Sequence, residues 1–260
     1  KYQGDNFSPK GHKYIREYSS DTVPRTLYRV GGVIFSKEKV FSLYENRIMI
    51  KYTLEDAHSA TTLRFRPFLA FRSVKSLTQA NGNVNQSYTE VPNGIKTCMY
   101  HGYPELYMQF NKKVKFVYEP YWYNGIEYPK EQERGYPYKE DLYVPGYFEI
   151  PIKKGESIIF SAGDSPVATT RLKNLYENEV NARTPRTSFF NCLKNSAQQF
   201  YFRPKEDDAY LLAGYPWFKV RARDLFVALP GCTLSIADPV RFEKIMHTAM
   251  PAIRAYMTEY

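Results

Sequence analysis

Leu63-Arg64-Phe65-Arg66-Pro67-Phe68-Leu69 is the stretch that sets the fold class. Apolar and charged residues alternate in it, so Leu63, Phe65 and Leu69 share one face of a strand and the two arginines point away. Pro67 cannot donate to a ladder, which puts this strand at an edge or a bulge. Similar runs occur at 47–54, 106–110, 114–118, 147–152 and 157–161. Turn signals separate them: Gly31-Gly32, Asn81-Gly82-Asn83, Pro92-Asn93-Gly94, Asn124-Gly125 and the KKGE of residues 153–156. Many strands on short turns, with no helical period from Asp21 to about Gly163, predict a mainly β fold, an antiparallel β-sandwich.

Two stretches of this half read as loops. Residues 81–87 (NGNVNQS) suggest a mobile polar tip. Residues 121–147 combine YWYNGIEYP with KEQERGYPYKEDLYVPGY, and a loop of that length is usually functional or disordered. Its charged residues Glu131, Glu133, Arg134, Glu140 and Asp141 either reach a binding cleft or make a salt-bridged cover anchored by tyrosines.

After Gly163 the period changes from two to 3.6. Leu172, Leu175, Tyr176 and Glu179 fit a short linker helix. Thr184-Pro185 reads as an N-cap with proline at the first helical position, followed by a stripe of Phe189, Leu193, Ala197 and Phe200. Asp238-Pro239 repeats that start signal, and Phe242, Ile245, Met246, Ala249, Met250 and Ile253 carry a further stripe in which Pro251 should kink or break the helix. The expected organisation is a sandwich domain over 1–163, a linker over 164–185 and helices over 186–260.

Composition bounds the partners. The chain has 260 residues, 43% of them apolar, enough for one large core or two modest ones. No apolar run approaches the roughly 20 residues that span a bilayer, and residues 1–15 lack the apolar centre of a signal peptide. Three widely spaced cysteines (Cys98, Cys192, Cys232) point to a reducing, cytoplasmic setting, and together with four scattered histidines they predict no metal site. The net charge of +9 comes from 36 basic residues interleaved with 27 acidic ones, without the basic tract of a nucleic-acid binder. The 24 tyrosines are more distinctive, because aromatic rings stack on the apolar faces of sugars or bases and also fill sandwich cores.

The densest chemistry lies in residues 213–234, AGYPWFKVRARDLFVALPGCTL. An aromatic turn (Tyr215, Pro216, Trp217, Phe218) precedes the adjacent pair Arg223-Asp224 and then the apolar run Leu225–Leu229. An aromatic wall beside an Arg-Asp pair at a helix mouth suits a neutral polyhydroxylated ligand. The plainer alternative makes Asp224 a helix N-cap and Arg223 its solvated neighbour.

The block Leu212–Phe218, then Arg223-Asp224, then Ala228-Leu229-Pro230-Gly231, resembles the glycogen debranching enzymes of the bacterial and archaeal amylo-α-1,6-glucosidase type. Upstream, Ser196–Phe200, Glu133-Arg134-Gly135, Glu140-Asp141-Leu142 and Pro145-Gly146 resemble the same family. The resemblance implies a supersandwich-like N-terminal domain followed by helices that begin an (α/α)6 barrel. It also implies no cofactor and a branched α-glucan, glycogen or limit dextrin, as partner, with neither nucleic acid nor membrane.

Within that resemblance Tyr215, Trp217, Arg223 and Asp224 are substrate-binding residues, the Arg-Asp pair gripping hydroxyls of a terminal glucose. Arginine offers up to five fixed donors and aspartate only acceptors, which matches vicinal hydroxyls. Where many relatives carry Gly-Asp-Trp-Gly, this chain has Lys219-Val220-Arg221-Ala222.

Inverting hydrolysis needs two carboxyls about 6.5–9.5 Å apart, and the family carries them later in the barrel. Twelve helices of ~12 residues with ~5-residue connections need on the order of 200 residues, and only about 75 follow Pro185. The sequence is therefore expected to be a fragment whose catalytic residues lie beyond Tyr260, inactive by itself. A non-catalytic carbohydrate-binding sandwich is the alternative.

Overall fold

The computed structural model describes residues 7–43, 45–203, 207–215 and 218–259. The alternating segments form strands in chain order: β1 (Ile15–Ser19), β2 (Arg25–Val30), β3 (Val33–Phe41), β4 (Arg47–Asp56), β5 (Thr61–Phe65), β6 (Thr89–Val91), β7 (Gly94–Thr97), β8 (Leu106–Phe110), β9 (Lys115–Glu127), β10 (Lys139–Ile152) and β11 (Ser157–Gly163). They assemble into an eight-stranded sheet, β1-β2-β3-β4-β11-β8-β7-β6, and a three-stranded sheet, β5-β10-β9. Every pairing is antiparallel.

Side-chain alternation builds the core between the sheets. Leu54, Ile95, Met108, Phe110 and Ile158 from the larger sheet pack with Tyr143, Phe148, Ile150 and Ile152 of β10. The Phe110 ring lies 5.1 Å from both Phe148 and Phe160, at tilted or edge-on angles favourable to aromatic pairs. The fold is the mainly β antiparallel sandwich expected from sequence. β5 is an edge strand that ends before Pro67, Leu63 and Phe65 face the core, and Arg64 faces Glu149 on the opposite side.

Residues 121–147 are not the loop that their turn-rich composition suggests. They form most of the β9–β10 ribbon, tipped by α1 (Pro129–Glu133), with Lys139 opposite Glu127 and Glu149 opposite Lys115. Two bulges let it curve, at Glu140/Leu142 and Val144/Gly146. At the second, Gly146 takes φ +147° against β9, and an added Cβ would lie 2.1 Å from the Val117 carbonyl oxygen.

Residues 81–87 are irregular but tied down. Val84 is buried, the Asn85 N–H donates to the Met99 carbonyl (2.8 Å) and the Asn81 amide donates to the Tyr100 hydroxyl (2.9 Å).

The chain divides into two compact units, residues 1–19 with 23–179, and 20–22 with 180–260. Helix α2 (Leu172–Asn181) begins in the first, where Leu172 and Tyr176 are buried. Its Glu179 accepts from the Ser42 hydroxyl (2.6 Å) and the Leu43 N–H (3.3 Å).

The second unit holds α3 (Phe189–Gln198), the short strands β12 (Tyr201–Phe202) and β13 (Tyr210–Leu211), α4 (Ala222–Cys232) and α5 (Pro239–Glu259). Leu211, Leu225, Leu229 and Ile245 are its buried centre. Ser188, not Thr184, caps α3, accepting the Asn191 N–H at 3.1 Å, because the chain from Thr184 to Thr187 stays non-helical. Asp238 caps α5 as its Asp-Pro signal predicts, its Oδ1 accepting the Arg241 N–H (3.1 Å). Pro251 does not end α5, which continues to Glu259, since one missing N–H removes one bond while the flanking turns keep theirs.

Candidate functional site

Gly214 and Tyr215, and then Phe218 to Arg221, lead up to a helix. Gly214 and Phe218 form an antiparallel bridge, with the Phe218 N–H donating to the Gly214 carbonyl at 2.8 Å. A Cβ on residue 214 would come within 2.6 Å of the Phe218 ring, so glycine permits that approach. The Arg221 guanidinium lies over the same ring at 4.6 Å, a cation–π contact at the entry of α4.

Helix α4 starts at Ala222 with Arg221 as its extended cap residue. Asp224 is therefore the third helical residue, one turn inside the cap position that the sequence offered as the plain alternative. Its carboxylate still lies in the first turn, where the partial positive charge of the helix N-terminus favours an anion.

Leu225 and Leu229 turn into the core of the second unit, and that orientation leaves Arg223 and Asp224 on the exposed side. Among the described residues neither side chain has a hydrogen-bond or ion-pair partner, so both present their donors and acceptors to solvent. Tyr215 is 65% exposed. Trp217, the fourth expected member, lies outside the described residues. The segment thus presents a guanidinium, a carboxylate and a phenol, groups fit for hydroxyl-rich ligands.

The acids of the β9–β10 ribbon have a different role. Glu140 is fully buried and accepts four hydrogen bonds: two from Arg72 (Nε, and Nη2 at 3.0 Å), one from the Tyr128 hydroxyl (2.5 Å) and one from the Thr78 N–H (3.2 Å). Burial pushes its pKa up, but Arg72, Tyr128 and the Thr78 N–H outweigh that and hold the carboxyl below its ordinary value. Asp141 accepts from the Gly125 N–H (2.8 Å) and the Ala80 N–H (2.9 Å). Both carboxylates fasten residues 72–80 to the ribbon, and Asp141 also holds Gly125 within it. Glu131 and Glu133 pair locally on the surface with Arg134 (3.3 Å) and Lys130 (2.8 Å).

Residues 1–159 match the family described as Glycogen debranching enzyme N terminal. The chain belongs to that family. The match spans β1 to β10 and enters β11, so the sandwich is the debranching-enzyme N-terminal domain, and Tyr215, Arg223 and Asp224 follow it in the chain. Among solved structures, a bacterial glucoamylase complexed with acarbose aligns over 80% of this chain and 34% of its own, at 15% identity and a TM-score of 0.40. The chain thus spans about a third of that relative's length. No curated protein matches. No described helix is long and apolar enough to cross a membrane, and no three His, Cys, Asp or Glu side chains converge as metal ligands among the described residues.

Sequence reasoning missed one arrangement of side chains, a row of aromatic rings and arginines on the outer face of the three-stranded sheet. Its signal was present in two alternations, Arg64-Phe65-Arg66 and Tyr121-Trp122-Tyr123.

Proposed function

We propose that this chain is the N-terminal part of a cytoplasmic glycogen debranching enzyme that hydrolyses α-1,6-glucosidic branch points of glycogen-like glucans. The observation that carries the reading is the family match over residues 1–159. In it, residues 1–163 are the sandwich, 164–185 the linker and 186–260 the first helices of an (α/α)6 glucosidase domain. Tyr215, Trp217, Arg223 and Asp224 form one wall of a glucose site, and the acid and base of hydrolysis lie beyond Tyr260. No cofactor takes part.

Two features of the second unit support this assignment. Arg223 and Asp224 are exposed and uncommitted within the described residues, the condition for contacting substrate hydroxyls. The apolar stripe of α3 is also uncovered, Phe189 being 80% exposed with Phe190 and Leu193 beside it. Such a stripe gains stability only when further helices pack on it.

The test is glucose release from a branched limit dextrin by the longer enzyme and by this chain alone. Release by the longer enzyme only is expected. No release by the longer enzyme removes the proposal.

A further inference from the structure

The outer face of the three-stranded sheet carries a continuous row of planar groups. Arg64 lies 4.3 Å from the centre of the Tyr147 ring, and Arg66 lies 5.2 Å from the same ring and 5.4 Å from Tyr121. The Tyr121 ring is 5.0 Å from Tyr123, which is 4.4 Å from Phe68. Strand alternation puts them there. Leu63 and Phe65 face the core, so Arg64 and Arg66 face out. Trp122 packs on buried Tyr143 at 5.5 Å, so Tyr121 and Tyr123 face out. None of the six belongs to the buried core between the sheets.

Charge decides what this surface fits. Arg64 is paired with Glu149 (2.6 Å), and Arg66 with Glu119 (3.6 Å) and with the Tyr121 hydroxyl. Each guanidinium already has its carboxylate, so the row is close to neutral on a chain of net charge +9, and an anion would have to displace an internal partner. Phe68 is exposed, and the Tyr121 and Tyr123 hydroxyls, 3.2 Å apart, supply donors and acceptors beside the rings. Flat apolar surface next to neutral hydrogen-bonding groups complements a sugar ring, which has apolar C–H faces and a rim of hydroxyls.

We propose that the row Arg64–Tyr147–Arg66–Tyr121–Tyr123–Phe68 is a binding surface for a neutral α-glucan chain, made wholly of sandwich residues and sharing none with the Tyr215/Arg223/Asp224 wall. The choice of α-glucan rests on the debranching reading, whereas the neutral, ring-stacking chemistry rests on the geometry.

The experiment titrates the full 260-residue chain with maltoheptaose and follows its migration in native gels containing amylopectin. Tyr121→Ala, Tyr147→Ala and the milder Phe68→Ala should each weaken binding, the tyrosine variants about tenfold, equivalent to roughly 1.4 kcal/mol. Tyr121→Phe keeps the ring and should retain most of the affinity. Thermal unfolding identifies the folded variants, and Phe68→Ala, at an exposed site, keeps the test open if a tyrosine variant fails to fold.

The proposal is overturned if the wild-type chain binds neither glucan, if folded variants bind as wild type, or if heparin is retained equally well and by the same residues. It is also overturned if Arg223→Ala alone abolishes binding, an outcome that leaves the debranching reading intact. Conversely, a longer enzyme that releases no glucose while this row still binds maltoheptaose removes only the debranching reading.

Discussion

Arg72 and Glu140, 68 residues apart in the chain, meet through two hydrogen bonds in which the carboxylate has no exposed surface and the guanidinium side chain is 21% exposed. The pair fastens the segment after β5 to the β9–β10 ribbon, with Tyr128 and the Thr78 N–H completing the carboxylate's partners. Removing one member of a buried pair leaves the other charge uncompensated, so Glu140→Gln should destabilise the sandwich by about 3 kcal/mol, read as a lower urea midpoint. Replacing both, Arg72→Met with Glu140→Leu, should cost less than Glu140→Gln alone.

The same pair sets an acid limit. The folded Glu140 carboxyl titrates below its unfolded value, so between those two values the unfolded state binds the extra proton. Its contribution is therefore complete above about pH 4.3 and is lost as pH falls through the folded value. Stability measured from pH 7 to 3 should fall less steeply in Glu140→Gln than in wild type. Parallel acid limbs would show that Glu140 is not the group responsible.

Tyr143 presents the opposite case, a buried hydroxyl without a hydrogen-bond partner among the described residues. Burial, with a smaller effect of Tyr118, pushes its pKa up to about 12. Its contribution is thus complete below about pH 10 and lost as pH rises through the folded value. Tyr143→Phe keeps the ring against Trp122 and removes the unsatisfied group, so it should be neutral or up to about 1 kcal/mol more stable at pH 7. It should also lose less stability between pH 7 and 11 than wild type, by denaturant unfolding at the two pH values.

How far the sequence reaches depends on the range of the interactions involved. β5 is legible because alternation and Pro67 are local signals, and both its faces follow from seven residues. The β9–β10 ribbon is not, because its Tyr, Asn, Gly and Pro content reads as turn while its stability comes from pairing across the ribbon and from the Arg72–Glu140 lock. The start of α4 is offset for a related reason. Asp224 is a favoured cap residue, but the chain turns helical three residues earlier, once Phe218 has bridged Gly214 and Leu225 must reach the core. The aromatic row is further from reach, since it joins Arg64 to Glu149 across 85 residues, a registry that exists only after the sheet has formed. For the proposed glucose wall, the residue types were legible from chemistry and resemblance, whereas their exposure on α4 follows from the burial of Leu225 and Leu229.

That exposure separates a binding role for Arg223 and Asp224 from a structural one. Asp224 in the first turn of α4 interacts with the helix dipole, so Asp224→Ala should cost this chain only about 0.3–1 kcal/mol, and Arg223→Ala, without a described partner, less than about 0.5 kcal/mol. If the pair grips glucose hydroxyls in the longer enzyme, each charged hydrogen bond contributes about 1.5–3 kcal/mol when buried against substrate. Either variant should then lower kcat/KM by roughly ten- to a hundredfold while unfolding of the second unit barely moves. Measuring both quantities on the same variants decides the matter. Near-wild-type kcat/KM in Arg223→Ala and Asp224→Ala would withdraw the site from these residues, and a large stability loss would assign them to the fold instead.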